Sequence, residues 1–274
     1  MTDVYAVFGN PIAHSKSPAI HAAFARATGQ DLRYEARLAA VDGFKQAISD
    51  FQAAGGKGAN VTVPFKEDAY RLCSGLSQRA ARAGAVNTLT FSGAAIIGDN
   101  TDGAGLMRDI TQNLACSLAG QRILLLGAGG AARGVIAPLL AGQPAALFIA
   151  NRSADKAKQL AEMFSDMASI NAGSFAETAG KSFDIVINAT SASLSGENLA
   201  LPPGIFAAGS LAYDMMYGKG ETPFMTLART QGAACCADGL GMLVEQAAEA
   251  FLVWRGIRPE TAALLAELRT ALNA

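Results

Sequence analysis

The chain has 274 residues, of which 51% are hydrophobic and 16% charged, and its formal net charge is −1. This composition is typical of a folded protein with one or two domains and a sizeable core. The absence of a basic block argues against binding to nucleic acid or to an anionic membrane, and no apolar run is long enough to span a bilayer.

The N-terminal residues 1–5 have no basic region and lead directly into a strand, so we expect no signal peptide. Four cysteines occur, none of them in a C-x-x-C motif: Cys73, Cys116, Cys235 and Cys236. We therefore expect reduced, mostly buried thiols in a cytoplasmic protein. The two histidines, His14 and His21, have no metal-ligand spacing, so no metal site is predicted, and His21 is expected to be packed or solvated within a helix.

The first hundred residues alternate between strand and helix patterns, which predicts a mainly parallel sheet. The predicted strands cover residues 5–9, 34–38, 58–64, 86–91 and 95–97, and the predicted helices cover 18–28, 44–54, 66–72 and 78–83. Ser17 is expected to cap the first helix, with Pro18 at its first position and Gly29 as its C-terminal stop.

Polar residues occupy several places in this region that packing alone does not explain. Thr62, Lys66, Asn87 and Asp102 lie near strand ends, where ligands gather in parallel sheets, and Gln246 interrupts an apolar helix. Each also has a purely structural interpretation. Thr62 suits any strand, Asn87 could bond a turn, Asp102 would cap the helix of residues 101–114, and Lys66 could be solvated.

A glycine-rich turn follows the apolar strand of residues 123–126 and precedes an alanine-rich helix. This strand–turn–helix order is the context in which a G-x-G-x-x-A motif indicates dinucleotide binding. The alternative is a turn of small residues that only packs a helix on a strand. The residues expected to face the pyrophosphate are Gly127, Ala128, Gly129, Gly130 and Ala131.

The next strand, residues 146–150, ends in Asn151-Arg152-Ser153, without the acidic residue that would hold the ribose 2′-hydroxyl of NAD. Arg152 offers a fork of donors to a 2′-phosphate, Ser153 a hydroxyl and Lys156 a point charge, which favours NADP. The alternative is that Arg152 and Lys156 are solvated charges at a helix start.

Further strands are predicted at residues 170–172, 184–189 and 211–215, followed by an apolar helix at 239–254 and an amphipathic helix after Pro259. The predicted fold class is α/β. Residues 1–103 and 238–274 are expected to form an α/β substrate domain, and residues 104–237 a Rossmann-type, doubly wound parallel-sheet domain. The site is expected in the cleft between them.

Six motifs, in this order, resemble the shikimate dehydrogenase family over nearly the whole chain. They are GNPIAHSKSP (9–18), ANVTVPFK (59–66), GAVNT (84–88), GDNTDG (98–103), NATS (188–191) and DGLGML (238–243). The resemblance implies NADPH-dependent, reversible reduction of 3-dehydroshikimate to shikimate in aromatic amino acid biosynthesis. The chain departs from the family at Ser193, where glycine is frequent, and at Gln78, where an acid is common.

The resemblance also implies roles for the matching residues. Lys66 and Asp102 would handle the proton at the C3 oxygen of the substrate. The implied substrate contacts are Ser15 and Ser17 for the carboxylate, Thr62, Asn87, Asp102 and Gln246 for the ring hydroxyls, and Tyr217 and Gly239 nearby. Met215 and Gly239 would lie near the nicotinamide. Ser17 could equally be only a helix cap.

Two other functions compete with this interpretation. An NAD-using quinate/shikimate dehydrogenase is disfavoured by the Asn151–Ser153 turn. A non-catalytic sensor of shikimate-pathway metabolites is disfavoured because Lys66 and Asp102 are both retained beside an intact glycine turn. A homodimer is a further possibility that the sequence leaves open.

Overall fold

The computed structural model describes residues 2–190, 192 and 199–274. Within these residues the chain forms two six-stranded sheets, and the first has the spatial order β2-β1-β3-β5-β6-β4. Its strands are β1 (Asp3–Gly9), β2 (Leu32–Leu38), β3 (Gly58–Val61), β4 (Gly75–Leu76), β5 (Thr88–Ser92) and β6 (Ala95–Asp99). The helices that alternate with them are α1 (Ser17–Thr28), α2 (Phe44–Ala53), α3 (Lys66–Leu72), α4 (Gln78–Ala83) and α5 (Asp102–Arg108).

One edge of this sheet collects the polar residues of the sequence motifs. β5 runs antiparallel to both β3 and β6, whereas β1 pairs in parallel with β2 and β3. The ends of β1, β3 and β6 and the start of β5 therefore meet on one side. Thr62, Asn87 and Asn100 directly adjoin these strand ends.

The second sheet is entirely parallel, with the order β12-β11-β10-β7-β8-β9. Its strands are β7 (Arg122–Leu126), β8 (Ala146–Ala150), β9 (Asn171–Gly173), β10 (Phe183–Asn188), β11 (Phe206–Asp214) and β12 (Cys235–Ala237). Its helices are α6 (Gly130–Ala141), α7 (Ala154–Glu162) and α8 (Pro223–Thr230), with a short 3₁₀ turn at Ala176–Thr178.

The strand order of the second sheet reverses between β7 and β10, which creates a topological switch point. Gly127 follows β7 there, and a Cβ on it would lie 3.1 Å from the Ala189 carbonyl after β10. Ile123–Leu126 is fully buried, as expected for a central parallel strand covered on both faces. The predicted fold class, an α/β unit followed by a Rossmann-type parallel sheet, is confirmed.

The chain then returns to the first sheet through α9 (Leu240–Arg255) and α10 (Ala262–Asn273). We call the first sheet with α1–α5, α9 and α10 the first unit, and the second sheet with α6–α8 the second unit. Phe251 of α9 packs on Ile20 and Phe24 of α1. α5 lies against α9 so closely that a Cβ on Gly105 would be 2.7 Å from the Gln246 backbone nitrogen. The predicted domain boundaries at 103/104 and 237/238 stay predictions.

The predicted capping role of Ser17 and the alternative interpretation of Asp102 as a helix cap are both wrong. Ser17 is the first residue of α1 rather than its cap, because the Ser15 hydroxyl accepts the Ser17 N–H at 3.3 Å. Asp102 is likewise the first residue of α5, and the Asn100 side chain accepts its N–H at 3.1 Å. Both side chains are thereby released from capping. Gly29 ends α1 in the left-handed conformation, as predicted.

The helix predicted over 101–114 has nearly the expected length, but after α5 its last turn, Asp109–Asn113, is a π-helix. The prediction of mostly buried thiols is also wrong: Cys235 is exposed and the other three are half-buried, although all four are free. His21 was expected to be either packed or solvated within a helix, and it is packed. Its ring stacks on that of Tyr34 with centroids 4.1 Å apart. No helix within the described ranges is both long and apolar enough to cross a membrane.

Candidate active site

A lysine and an aspartate from different elements form an ion pair at the polar edge of the first sheet. Nζ of Lys66, at the start of α3, lies 2.5 Å from Oδ2 of Asp102, at the start of α5. The two side chains are 20% and 8% exposed, so the pair is largely shielded from water and is still open on the lysine side. The structure thus brings together the two residues that the sequence motifs single out for proton transfer.

Asn87 holds the other oxygen of the same carboxylate. Its Nδ2 donates to Oδ1 of Asp102 at 2.8 Å and to Oγ1 of Thr101 at 3.0 Å. Its Oδ1 accepts from the Thr101 N–H at 2.8 Å and from the Thr88 hydroxyl at 2.9 Å. These bonds fix which end of the amide faces Asp102. Oε1 of Gln246 completes the cluster, 3.4 Å from Nδ2 of Asn87.

A second layer of buried polar residues supports Asn87, and the sequence analysis did not identify it. Asn60 accepts from the Tyr34 phenol at 2.7 Å and donates to the Asn87 carbonyl and the Thr88 hydroxyl, both at 3.1 Å. Asn60 lies in a strand buried along its whole length. A polar residue inside such a strand is the signal that could have revealed this layer.

Arg79 fixes the end of β6 to the helix that carries Gln246. Its guanidinium donates to both oxygens of Asp99 at 2.7 Å and to Glu249 of α9 at 2.8 Å. Burial raises the pKa of Asp99, but the hydrogen bonds from Arg79 and Ser77 outweigh this effect, and the pKa lies below its usual value. Asp99 therefore stays ionised and anchors the loop that leads to Asp102.

The remaining predicted substrate residues are buried or half-buried. Ser17 is buried, whereas Ser15, Thr62 and Tyr217 are half-buried. Among the described residues, no hydrogen bond joins Ser15, Thr62 or Tyr217 to the Lys66–Asp102 pair. Burial, and then the charge of Asp238, raise the pKa of Tyr217, so its phenol is a donor at neutral pH.

The glycine-rich turn has the shape that a pyrophosphate requires. Gly127 has a φ of +111° and no space for a side chain beside Ala189, so only glycine fits there. Gly129 and Gly130 face open space, and α6 begins at Gly130 with free N–H groups at its N-terminus. Ala128 and Ala131 are half-buried in the same turn.

The predicted 2′-phosphate loop follows β8 at the adjacent strand end. Asn151 shapes the loop by donating to the Ser153 carbonyl at 3.1 Å. Arg152, Ser153 and Lys156 are exposed, and neither cation forms an ion pair with any described residue. This donor set fits a dianionic phosphate, because the loop contains no carboxylate that would repel it before Asp155.

Gly239 lies directly against Met215, where the chain passes from the second unit back to the first. A Cβ on Gly239 would overlap the Met215 carbonyl oxygen, and the Gly239 N–H donates to the Met216 carbonyl at 3.0 Å. The predicted neighbours of the nicotinamide are thus adjacent. Gln78 is the first residue of α4, whereas Ser193 lies outside the described residues.

A switch-point glycine turn on a parallel sheet, joined to a unit with a shielded lysine–aspartate pair, defines a dinucleotide-dependent oxidoreductase. Three family models match the chain: the shikimate dehydrogenase substrate binding domain at residues 7–89, shikimate/quinate 5-dehydrogenase at 109–195, and the shikimate 5′-dehydrogenase C-terminal domain at 239–269. The chain belongs to the shikimate dehydrogenase family.

Relatives match the chain over its full length. An NADP(+) shikimate dehydrogenase from Dechloromonas aromatica is 78% identical, with 100% of both chains covered. The one from Aromatoleum aromaticum is 62% identical, covering 99% of this chain and 98% of the relative. The crystal structure of shikimate 5-dehydrogenase from Thermus thermophilus, in complex with NADP(H) and shikimate, superposes with a TM-score of 0.87 at 30% identity, covering 99% of this chain and 100% of the other.

Proposed function

We propose that the chain catalyses the reversible, NADPH-dependent reduction of 3-dehydroshikimate to shikimate. The observation that carries the proposal is the 2.5 Å contact between Lys66 and Asp102 at the polar edge of the first sheet. Relatives with this activity in their names, similar to the chain from end to end, support the same reaction. Shikimate formation places the enzyme in aromatic amino acid biosynthesis.

NADPH supplies the hydride when it is bound. The N–H groups at the start of α6, reached through residues 127–131, hold the pyrophosphate. Arg152 and Lys156 hold the 2′-phosphate with Asn151 and Ser153, and Met215 and Gly239 border the nicotinamide. An acid in the loop would have favoured the 2′-hydroxyl of NAD, so the Asn151–Ser153 turn argues against an NAD-using enzyme.

The first unit holds the substrate and moves the proton. The hydroxyls of Ser15 and Ser17 bind the carboxylate, with the Tyr217 phenol and Gly239 nearby. Thr62, Asn87, Asp102 and Gln246 bond the ring hydroxyls. The Lys66 ammonium donates its proton to the C3 oxygen during reduction, and its charge stabilises the oxygen as negative charge develops. In the reverse direction Lys66, oriented by Asp102, accepts that proton.

A cytoplasmic location and a homodimer are further proposals. NADPH chemistry and four free thiols suit a reducing compartment. Sedimentation velocity at micromolar concentration tests the homodimer, and a single species at the monomer mass of 28.1 kDa would exclude it.

Absorbance at 340 nm tests the reaction directly. The chain should reduce NADP with shikimate and should do so poorly when NAD replaces NADP or quinate replaces shikimate. Binding of shikimate without any change in absorbance would instead support a metabolite sensor. Equal rates with NAD and with quinate would support the broader quinate/shikimate activity.

A further inference from the structure

Arg133 belongs to the cofactor-binding helix α6 but contacts the first unit. Its Nη1 lies 3.7 Å from Oε1 of Glu67, the second residue of α3. A Cβ on Gly84, the residue that ends α4, would lie 3.5 Å from the same Nη1 and 3.7 Å from Cδ of Arg133. The arginine side chain therefore passes over the end of α4 and reaches the start of α3.

At least one N–H donor of the Arg133 guanidinium has no hydrogen-bond partner among the described residues. The 3.7 Å separation from Glu67 exceeds hydrogen-bond distance. Nε of Arg133 is buried and has no partner among the described residues. A buried donor without a partner is costly, so its retention calls for an explanation. An approach of α6 to α3 by roughly 1 Å would convert the long contact into a charge-assisted hydrogen bond.

Glu67 directly follows Lys66 in the chain, and both occupy the first turn of α3. A carboxylate at this place already suits the positive end of the helix dipole, so Arg133 is not needed to keep it there. Because the two residues are consecutive, a contact that fixes the position of Glu67 also fixes the backbone of Lys66. α6 begins at Gly130, three residues before Arg133, so a short path through Arg133 and Glu67 joins the glycine-rich turn to Lys66.

We infer that Arg133 is a positioning residue: through Glu67 it sets the start of the cofactor-binding helix at a fixed distance from Lys66. The hydride donor and the proton donor are then brought to the substrate together. The inference rests on the proposed role of Lys66 in proton transfer.

A second ion pair between the units provides a matched control. Arg82 of α4 donates to both oxygens of Asp166 at 2.9 and 2.6 Å. This pair joins the two units at full hydrogen-bond distance and involves no residue of α3. An effect of Arg133 on general attachment of the units would be shared by Arg82, whereas an effect on Lys66 would not.

The test is a single-turnover measurement by stopped flow, with enzyme in excess over NADPH and saturating 3-dehydroshikimate. Arg133→Met and Glu67→Gln should each slow NADPH oxidation, roughly 5- to 50-fold, because small misplacements of reacting groups are costly. The far-UV circular dichroism and the thermal melting curve of each variant should match those of the wild type, which separates a slower reaction from a folding defect. Arg133→Lys should be faster than Arg133→Met. The double variant should be no slower than the slower single variant, since both changes break one contact.

The NADPH dissociation constant, measured by fluorescence, should stay close to wild type in all these variants, and Arg82→Ala should keep the wild-type rate. A normal rate for Arg133→Met, additive losses in the double variant, or an equal loss for Arg82→Ala would overturn the inference. Lys66→Ala is measured in parallel. A normal rate for Lys66→Ala would reject the proposed proton donor, whereas a slow Lys66→Ala beside a normal Arg133→Met rejects only the role of Arg133.

Discussion

Lys66 is a cation at the first position of a helix, where the helix dipole disfavours positive charge. Its position is stabilised by the carboxylate of Asp102, with Glu67 and Asp68 also in the first turn of α3. A solvated surface lysine would have no reason to occupy a helix start, where the dipole opposes its charge, whereas a lysine held there by a carboxylate has a specific partner. The contact therefore supports a role in chemistry over a role as a solvated surface charge.

We predict that Lys66→Ala lowers kcat by roughly 10²- to 10⁴-fold, the usual contribution of general acid–base catalysis. Shikimate and NADP should still bind with affinities near wild type, because the hydroxyl, carboxylate and phosphate contacts remain. Steady-state kinetics and calorimetric titration measure the two effects separately. A folded Lys66→Ala variant with near-normal kcat would refute the assignment.

Arg152 is exposed and forms no ion pair with the described residues, so its guanidinium is available to a ligand. We predict that Arg152→Ala weakens NADP binding roughly 10- to 100-fold, the scale of a charge-assisted hydrogen bond pair, and leaves NAD binding nearly unchanged. Lys156→Ala is the matched control and should have a smaller effect, because a single flexible ammonium lacks the fork. Equal losses with both cofactors would show that Arg152 does not recognise the phosphate.

At the scale of elements, α5 and α6 meet at two glycines. A Cβ on Gly103 would overlap Cγ of Pro138 and lie 2.7 Å from the Gly134 carbonyl oxygen. Gly134 in turn faces Asn100, and a Cβ on Gly134 would lie 3.3 Å from the Asn100 side-chain amide. The helix that begins at the glycine-rich turn therefore packs directly on the segment that carries Asp102.

We predict that Gly103→Ala destabilises the chain by about 1–3 kcal/mol, because the methyl group overpacks the contact between α5 and α6. The melting temperature should fall by several degrees. Gly218→Ala is the control, since a Cβ there meets nothing within 4 Å. Identical melting curves for Gly103→Ala and the unaltered chain would show that this contact is looser than the geometry indicates.

The sequence predicted long, patterned elements well and short ones poorly. The bounds of α3 and α4 agree with the prediction at every residue, because turn residues flank both helices. β4 has two residues and β12 has three, too few to show a period of two. α8 was overlooked although Thr222 and Pro223 form a capping start signal, with the Thr222 hydroxyl accepting the Met225 N–H.

Some residues of the candidate site could likewise be predicted from the sequence, and others could not. Lys66, Asp102, Asn87 and Gln246 were identified as polar residues that packing alone does not explain, the first three of them within motifs that resemble a family, and the structure places them together. Asn60 and Arg79 were not identified, because their roles depend on partners far away in the chain, such as the Arg79–Glu249 bond across 170 positions. No local pattern encodes such a contact.

At the scale of the whole molecule, one aromatic cluster fastens the C-terminal part of the chain to the first sheet. His21 of α1 stacks on Tyr34 of β2, and the Trp254 ring of α9 lies 5.5 Å from the His21 ring and 4.6 Å from the Tyr5 ring. Burial lowers the pKa of His21 to about 3, and neither ring nitrogen has a hydrogen-bond partner among the described residues. The ring is therefore neutral in the folded chain at all moderate pH values.

We predict that this histidine makes the chain less stable in mild acid. Its folded pKa lies below the unfolded value near 6.5, so only the unfolded chain gains the proton as the pH falls below 6.5. The free energy of unfolding should fall by about 2 kcal/mol between pH 7.5 and pH 5. Urea unfolding at both pH values measures it. His21→Phe should remove most of this dependence and His14→Gln should not; a parallel loss in all three proteins would assign the effect elsewhere.

The second sheet is drawn from one uninterrupted stretch, 122–237, whereas the Lys66 cluster takes residues from both sides of it. The cofactor-binding sheet could therefore be exchanged in evolution as a single segment. A recombination event that exchanged this stretch would replace the glycine-rich turn and the 2′-phosphate loop and leave each hydrogen bond of Asn87 in place. The exchange would have to preserve contacts that cross between the units, such as the ion pairs of Arg82 with Asp166 and of Arg133 with Glu67 and the hydrogen bond from Gly239 to Met216. The preference between NADP and NAD could therefore be inherited separately from the Lys66 cluster.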